Sequence, residues 1–244
     1  MNNQGIVFIT GDVHHMSMGG LDQKWLRSYK NMTEVQCAIK YANLAENFGL
    51  PVTLFITGLA AVNEKKDILN LAKLGNVEIG GHTWNAFNPV WKHAIWERVL
   101  GSYYGPENFQ AKDICRTLEA ISNLIGSSPI TWRTHAYRGD KITFRILEKY
   151  GLRVVSDKVG PELKFECLEN QLFSLPINTP PDHEHVFHGF YNKNRMNEEN
   201  ILRRDLLSIL HVTPSKSNLI RFTKEIVKRL TGVKTPVKPF GDVM

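Results

Sequence analysis

The chain has 244 residues, of which 42% are hydrophobic and 22% are charged, as is ordinary for a soluble globular protein. Its net charge of +6 is spread at helical spacings, with no Arg/Lys run and no interleaved aromatics, so we expect solvated helix faces and no nucleic acid partner. No apolar run approaches the ~20 residues that cross a bilayer, and the run at residues 6–9 is too short for a signal-peptide core. We therefore predict a cytoplasmic protein with one domain over residues 1–244.

Short apolar runs alternate with helical patterns along the chain. The predicted strands are residues 5–10, 51–57, 77–79, 130–133, 152–156, 172–177 and 206–211. The predicted helices are residues 33–48, 65–74, 112–125, 143–150, 198–205 and 217–230. This alternation predicts an α/β fold with a parallel sheet, and seven strands favour a barrel over an open sheet. Residues 85–110 and 178–197 are predicted to be long loops, which are often functional.

Ionisable side chains follow two of the predicted strands, in the segments FITGDVHH and IGGHTWNA. Asp12, His14, His15 and His82 therefore lie at strand ends, where barrel enzymes build their active sites. In extended backbone Asp12 and His14 share one side, so one could bind a metal while the other acts as a base, and His15 points away. These groups are enough to start a divalent-metal site.

Two further segments carry candidate binding residues. Trp84 follows His82 and could form a wall for a sugar ring, although ordinary loop packing explains it equally well. Arg133, His135 and Tyr137 alternate in TWRTHAYRGD and face one way if the backbone is extended. An arginine there can hold a carboxylate and a backbone N–H can hold an oxyanion, whereas surface salt bridging is the simpler alternative.

The remaining candidates are histidines in the last third of the chain. Residues 183–188 include three histidines in PPDHEHVFHG, a density that suggests metal or anion binding, with a solvated polar loop as the alternative. His211 ends the apolar run LLSIL, and at the rim of a barrel such a histidine favours a functional role over a structural one.

Taken in order, these motifs resemble those of the polysaccharide deacetylases, the NodB-homology carbohydrate esterases. FITGDVHH stands where the family has a strand ending in paired aspartates, PVTLFITG is similar to its TFFVTG strand, and EIGGHTWNA to its EIGNHTxxH motif. TWRTHAY stands for FRxPY, GLRVVSD resembles the strand that supplies a further aspartate, and LLSILH resembles the final LxLH strand. The resemblance covers most of the chain.

The resemblance implies a distorted (β/α)7-type barrel of the NodB type and a hydrolase that removes acetyl groups from N-acetylated sugars with a divalent metal. Carried over to this sequence, Asp12 matches the catalytic base and Arg133 the arginine that holds it. His82 matches a histidine ligand, Asp157 the aspartate of the fourth motif, and His211 the general acid, which Asp157 would keep protonated.

Three positions depart from the family pattern. The second aspartate, a metal ligand in the family, is Val13, the second histidine of HxxxH is Ala86, and the proline of the third motif is His135. Two of the three expected ligands are therefore missing, so the metal site is either rebuilt or lost.

We predict a rebuilt site, because histidines are in surplus nearby. His14 can replace the missing carboxylate, His82 keeps its place, and His185 supplies the third ligand, with zinc as the expected metal. Trp84, His135 and Tyr137 are predicted to bind substrate, with backbone N–H groups near His135 stabilising the oxyanion.

The resemblance also bears on the substrate. Related atypical deacetylases from surface-polysaccharide and O-antigen clusters are similar in lacking a secretion signal, which implies an N-acetylated sugar on a nucleotide or a lipid. Whether the basic last helix, residues 218–230, rests on a membrane is left open. Two alternatives also stay open, namely a catalytically silent deacetylase-like sugar-binding protein and a metal-dependent hydrolase of another amide.

Overall fold

The computed structural model describes residues 8–15, 33–160, 163–168 and 171–177. They belong to one compact unit, Phe8–Asn178, and a second unit, Met1–Val7 with Thr179–Met244, lies outside the described residues. The predicted strand 206–211, helices 198–205 and 217–230 and loop 178–197 therefore lie outside them too. The single domain over residues 1–244 stays a prediction.

The described strands form one sheet whose order is β1-β2-β3-β4-β5-β7-β6. All neighbouring strands are parallel except β6 and β7. The strands are β1 (Ile9–Val13), β2 (Val52–Ile56), β3 (Val77–Gly81), β4 (Thr131–Trp132), β5 (Val154–Val155), β6 (Glu166–Cys167) and β7 (Phe173–Ser174). The predicted α/β class with a mainly parallel sheet is confirmed, and six of the seven predicted strands overlap an observed one.

Helices connect the successive strands from β1 to β5. They are α1 (Glu34–Glu46), α2 (Gly58–Asn63), α3 (Lys65–Ala72), α4 (Val90–Leu100), α5 (Glu107–Ile125) and α6 (Lys141–Lys149). Local sequence signals explain where several of them begin and end. Thr33 caps α1 and Asp140 caps α6, each through a capping box, and Gly151 follows α6 with φ at 80°. Among the described residues, none of the helices combines the length and the apolar character that a membrane span requires.

The structure differs from the sequence prediction chiefly between β3 and β4. The predicted loop 85–110 contains α4 and the first residues of α5. The apolar pattern missed α4 because this helix buries only His93, so its apolar residues do not mark a core-facing stripe. Two short elements, α2 and β6, also escaped prediction because six residues and two residues carry too little periodicity.

The parallel sheet brings the residues after β1, β3 and β4 to one edge. β1 pairs with β2, β2 with β3, and β3 with β4, so the carboxyl ends of these strands are adjacent. Behind them lies a core of buried apolar side chains from α5, α6 and the strands, including Ile114, Trp132, Leu147 and Val155. This core fixes the strand ends that carry the candidate site.

Candidate active site

Three histidine side chains converge at the carboxyl end of the sheet. His14 follows β1, His82 follows β3, and His135 lies shortly beyond β4. Nε2 of His14, Nε2 of His82 and Nδ1 of His135 form a triangle whose three sides are each 3.2 Å. The ring planes are inclined to one another by 66° to 84°, so the rings meet edge to edge and do not stack. We call these three side chains the histidine cluster.

The histidine cluster has the dimensions that a bound divalent metal requires. Zinc–nitrogen bonds of about 2.0–2.1 Å in a tetrahedral site place the nitrogens about 3.3 Å apart. The observed separations of 3.2 Å are close to that value. Imidazole nitrogen suits zinc, iron, nickel and copper, and within the described part of the chain no other group of three such side chains is arranged in this way. The donor set therefore fits a metal ion.

Oxygen acceptors orient two of the three rings from behind. Nδ1 of His82 donates to the carbonyl of Arg133 at 2.7 Å, and Nδ1 of His14 lies 2.8 Å from Oε1 of Glu34. The same Glu34 oxygen accepts the backbone N–H of His14 at 3.0 Å. Because the acceptors draw the ring proton to Nδ1, Nε2 of both rings turns a lone pair toward the cluster. Metal coordination requires this tautomer.

His135 reaches the cluster because the backbone turns sharply after β4. A single 3-10 turn spans His135–Tyr137, and Ala136 and Tyr137 lie in the left-handed region, with φ at 52° and 59°. The ring of Phe87 packs edge-on against the imidazole of His135, with 5.7 Å between ring centroids. A substrate-binding role was predicted for His135 from the sequence, and the structure brings its Nδ1 into the histidine cluster.

Asp12 lies beside the cluster, and Arg133 fixes one of its two oxygens. Nη1 of Arg133 donates to Oδ1 of Asp12 at 2.9 Å, while Oδ2 lies 4.0 Å from Nε2 of His82. The remaining guanidinium contacts go to Thr10 Oγ1 at 2.7 Å, Ser156 Oγ at 2.9 Å and the Ser156 carbonyl at 3.1 Å. Arg133 is only 4% exposed, so its buried charge depends on Asp12 for neutralisation.

The electrostatics of this end of the sheet shift two pKa values in the same direction. Burial alone raises the pKa of Asp12, but the charges of His82 and Arg133 outweigh it and hold the pKa at about 2. Burial lowers the pKa of His82 to about 4, although Asp12 acts in the opposite direction. At neutral pH the carboxylate is therefore ionised and the imidazole is neutral.

Asp157 has a carboxyl group that is buried and only half satisfied. Oδ1 accepts the backbone N–H of Thr134 at 2.6 Å, and Oδ2 is buried with no hydrogen-bond partner among the described residues. Burial raises the pKa of Asp157 to about 7, although the hydrogen bonds from Thr134 oppose it. Gly139 makes room for this group, because a Cβ there would lie 2.1 Å from Oδ2. The carboxyl group can therefore hold a proton near neutral pH.

The predicted substrate-binding residues Trp84 and Tyr137 are engaged by protein contacts. The backbone N–H of Trp84 donates to Oδ2 of Asp113 at 2.9 Å, and the guanidinium of Arg116 lies 4.4 Å from the centroid of the indole. The N–H of Tyr137 donates to the carbonyl of Thr134 at 2.9 Å, so this amide is already used within the turn. The substrate roles of both side chains stay predictions.

The histidine cluster includes two of the three ligands named from the sequence. His14 and His82 are close together, whereas the third predicted ligand, His185, and the predicted acid, His211, lie outside the described residues. The role of Glu34 was missed because an acidic residue in the first turn of a helix is explained by the helix dipole alone. The histidine at the family's proline position was the signal that could have pointed to His135.

Comparison with known families identifies the chain. The sequence profile of the polysaccharide deacetylases matches residues 31–155, just over half of the chain. This match includes the segments that carry His82, Arg133 and His135. The predicted resemblance to this family is confirmed. A search of curated proteins returned no match.

Three solved structures illustrate the likeness of fold. A protein from Mycobacterium smegmatis assigned to the polysaccharide deacetylases has a TM-score of 0.57 at 15% identity, and the alignment covers 95% of this chain and 93% of that one. The allantoinase Puue has a TM-score of 0.57 at 14% identity, covering 91% and 83%.

A family 4 carbohydrate esterase pseudoenzyme from Bacillus anthracis has a TM-score of 0.50 at 9% identity, covering 95% of this chain and 62% of that one. Likenesses at such low identity establish the fold, and the predicted NodB-like (β/α) barrel is confirmed. The profile match carries the assignment further, to hydrolases that act on acetylated sugars. The chain belongs to the polysaccharide deacetylase family.

Proposed function

We propose that the protein is a metal-dependent deacetylase of an N-acetylated sugar and that His14, His82 and His135 hold the metal. The observation that carries this proposal is the triangle of ring nitrogens, each 3.2 Å from the other two. Catalytic zinc sites commonly have three protein ligands and one open position, and a set of three histidines is one of the known forms. The three-histidine set would replace the ligands that Val13 and Ala86 cannot supply.

The family narrows the substrate to an acetylated sugar, and we propose an N-acetylated sugar used in the biosynthesis of a surface polysaccharide of the O-antigen type. We propose that the sugar is carried on a nucleotide or a lipid and that the protein acts in the cytoplasm. Zinc is the metal we expect, since imidazole ligands favour it over magnesium or calcium, which prefer oxygen ligands.

The metal, when bound, would supply Lewis acidity to a water molecule and to the acetamide carbonyl. Asp12 would accept the proton of the attacking water at Oδ2, the oxygen that Arg133 leaves unbonded. Arg133 holds the other oxygen at 2.9 Å and thereby fixes the orientation of the carboxylate. Because Arg133 is itself held by Thr10 and Ser156, the base has little freedom to turn.

The departing amine needs a proton, and we assign its delivery to His211 with Asp157 as the group that keeps it protonated. Both assignments follow from the family motifs that the sequence resembles, since His211 lies outside the described residues. The oxyanion would be stabilised by the backbone around His135. Of the amides in that turn, the N–H of Tyr137 is already given to Thr134, so Ala136 is the better candidate.

The alternative of a silent sugar-binding protein explains less of the geometry. Sugar binding needs no convergence of three imidazole lone pairs, and Glu34 and the carbonyl of Arg133 set the tautomers of two of these rings. The hydrolase of another amide would use the same metal and base, so only the substrate separates it from the proposed function.

Metal analysis of matched histidine variants tests the proposal. We expect about one zinc or similar ion per chain in the purified wild type and its loss in His14→Ala, His82→Ala and His135→Ala. His15→Ala is the matched control, because His15 neighbours His14 but contacts Glu64 at 2.7 Å instead of joining the cluster. That variant should keep its metal.

The substrate is tested with the same proteins. The metal-loaded wild type should release acetate from N-acetylated sugars, and the three cluster variants should not. Absence of metal after reconstitution, with no acetate released from any sugar, would leave the silent binding protein as the better description. Release of product from cyclic amides alone would favour the second alternative.

A further inference from the structure

Helix α4 turns an apolar face toward solvent. Trp91, Ile95 and Val99 follow one another at intervals of four residues, so they form a stripe along the helix. Their side chains are 65%, 53% and 71% exposed, and Val90 and Leu100 at the two ends of the helix are 60% and 52% exposed. We call Trp91, Ile95 and Val99 the α4 apolar face.

This face cannot be explained by packing against the core. The only buried residue of α4 is His93, whose ring lies among those of Phe87, Trp96 and Tyr103. Since a helix turns by about 100° per residue, the α4 apolar face lies away from His93. A contiguous exposed apolar stripe of this kind marks an interaction site rather than a folding requirement.

Basic side chains flank the α4 apolar face. Lys92 lies 4.5 Å from the ring centroids of Trp96 and Phe109, and Arg98 is exposed on the same helix. Arg138 contacts Glu97 at 2.9 Å, which neutralises that acidic residue. The helix therefore combines an apolar stripe, an exposed tryptophan and unbalanced positive charge.

The buried side of α4, opposite the α4 apolar face, is joined to the candidate active site by direct packing. The ring of Phe87 contacts His135 of the histidine cluster, with 5.7 Å between centroids, and His93 of α4, with 4.7 Å. One aromatic side chain therefore separates the metal site from the helix.

We infer that the α4 apolar face seats this protein on an anionic phospholipid bilayer. Exposed apolar side chains on a surface helix bind such bilayers by entering the headgroup layer while basic residues contact anionic lipid. Tryptophan prefers this interfacial depth, which suits Trp91. The positive charge of the helix favours an anionic bilayer as the binding partner, because Lys92 and Arg98 are complementary to anionic headgroups.

This step rests on the proposed function. Combined with it, the α4 apolar face favours one of the two proposed substrate classes. A deacetylase whose metal site adjoins a membrane-bound helix would meet a sugar carried on a lipid more readily than a sugar carried on a nucleotide. Of the two carriers proposed above, the lipid-linked sugar is therefore the one that fits α4.

Co-sedimentation with vesicles tests whether the α4 apolar face binds membranes. The full-length protein should bind vesicles that contain phosphatidylglycerol and bind more weakly to vesicles of pure phosphatidylcholine. The double variant Trp91→Ser/Ile95→Ser should bind the anionic vesicles with an affinity at least about tenfold lower. Ile130→Ser is the matched control. Ile130 is 55% exposed, nearly the same as Ile95, but precedes β4 and so lies at the opposite, amino end of the sheet. It should bind as the wild type does.

Three results would overturn the inference. They are failure of the wild type to bind anionic vesicles, equal binding by the double variant, or an equal loss in Ile130→Ser. Light scattering could give a fourth contradicting result. A wild-type dimer that becomes a monomer in the double variant would mean that the α4 apolar face binds a second copy of the chain. Circular dichroism would show that the double variant is folded.

The two proposals fail separately. Vesicle binding does not need the metal, so protein treated with a chelator should bind vesicles as well as the loaded protein does. The double variant should retain its metal and its acetate release from soluble N-acetylated sugars. If the wild type releases acetate but does not bind anionic vesicles, only the inference about the α4 apolar face fails. If the wild type binds these vesicles but holds no metal and releases no acetate, only the proposed function fails.

Discussion

The segments that follow β3 and β4 differ in backbone conformation from the ends of the helices packed behind them. Among the described residues, non-glycine residues in the left-handed region occur only in these two segments. They are Thr83, Ala86, Phe87, Ala136 and Tyr137. The corresponding positions at the ends of α4, α5 and α6 are Gly101, Gly126 and Gly151, which tolerate positive φ without a steric penalty.

The difference shows where the molecule accepts unfavourable local structure. Left-handed backbone costs roughly 1–2 kcal/mol for an ordinary residue, and the partly buried ion pair of Asp12 and Arg133 adds a desolvation cost. The helices α1 and α6, which have capping boxes at Thr33 and Asp140, lack these unfavourable features. Their stability offsets the cost of the strained segments. Strain of this kind is typical of functional sites, and it surrounds His82 and His135.

The largest effect we expect comes from removing the base. Asp12→Asn should lower acetate release by about 10²–10⁴-fold, because the amide cannot accept the proton of the attacking water. Metal content should be unchanged, since Asp12 is not one of the three ligands. His211→Ala should behave in the same way. Steady-state kinetics together with elemental analysis would check both, and near-normal turnover in either variant would remove that residue from the mechanism.

The next effect is a change in how stability depends on pH. The folded pKa of Asp157, about 7, lies above its ordinary value of 3.8, so the folded state favours the protonated carboxyl. This contribution is fully present below pH 4 and is lost as pH rises to 7, where the charged form is penalised by up to about 4 kcal/mol. Asp157→Asn should therefore be more stable than the wild type above pH 7.

Denaturant unfolding at several pH values would measure this difference. The two proteins should converge toward pH 4, where both side chains are neutral. A constant difference between pH 4 and pH 8 would mean that Asp157 does not titrate in this range. His93→Gln would serve as a comparison. Burial lowers the pKa of that imidazole, so its contribution to stability is lost as pH falls, whereas that of Asp157 is lost as pH rises.

A smaller effect separates the two neighbouring histidines after β1. Glu34→Gln should weaken metal affinity by about 10–100-fold, because Oε1 of Glu34 orients the ring of His14 and accepts its backbone N–H. Glu64→Gln is the matched control, since Glu64 holds His15 at 2.7 Å in the same manner but outside the cluster. Titration with a competing chelator would compare the two. Equal losses would mean that the contact of Glu34 has no special role.

The smallest effect tests the backbone contrast itself. Ala136→Gly should raise the free energy of unfolding by about 0.5–1 kcal/mol, because glycine relieves left-handed strain more than it costs in chain entropy. Gly126→Ala should lower it by a similar amount, since its added Cβ meets no atom within 4 Å and only the backbone conformation changes. Thermal or denaturant unfolding would measure both. Changes of the same sign would refute the contrast.

Much of the fold could be predicted from the sequence because it follows from periodic patterns. Helix α5 ends at Gly126 as predicted, and β2 lies within the predicted residues 51–57. Asp12, Arg133 and His82 were named as site residues because they lie at strand ends or on the strand that the family motif identifies. Parallel pairing then places such residues side by side without further information.

The rest depended on backbone geometry that residue patterns do not encode. The common orientation of Arg133, His135 and Tyr137 depended on an extended backbone after β4. The residues His135–Tyr137 form a tight 3-10 turn, which brings Nδ1 of His135 to the cluster. Helix α4 was taken for a loop because its apolar residues lie on several sides of the helix and no side-chain cap marks its beginning. In both cases tertiary geometry overrode a local pattern.

Anomalous diffraction at the zinc absorption edge, from crystals of the zinc-loaded protein, tests the central claim most directly. The proposal predicts one strong peak about 2.0–2.1 Å from Nε2 of His14, Nε2 of His82 and Nδ1 of His135, with an open coordination position toward Asp12. A peak that does not involve His135, or the absence of any peak between the three rings, would contradict it.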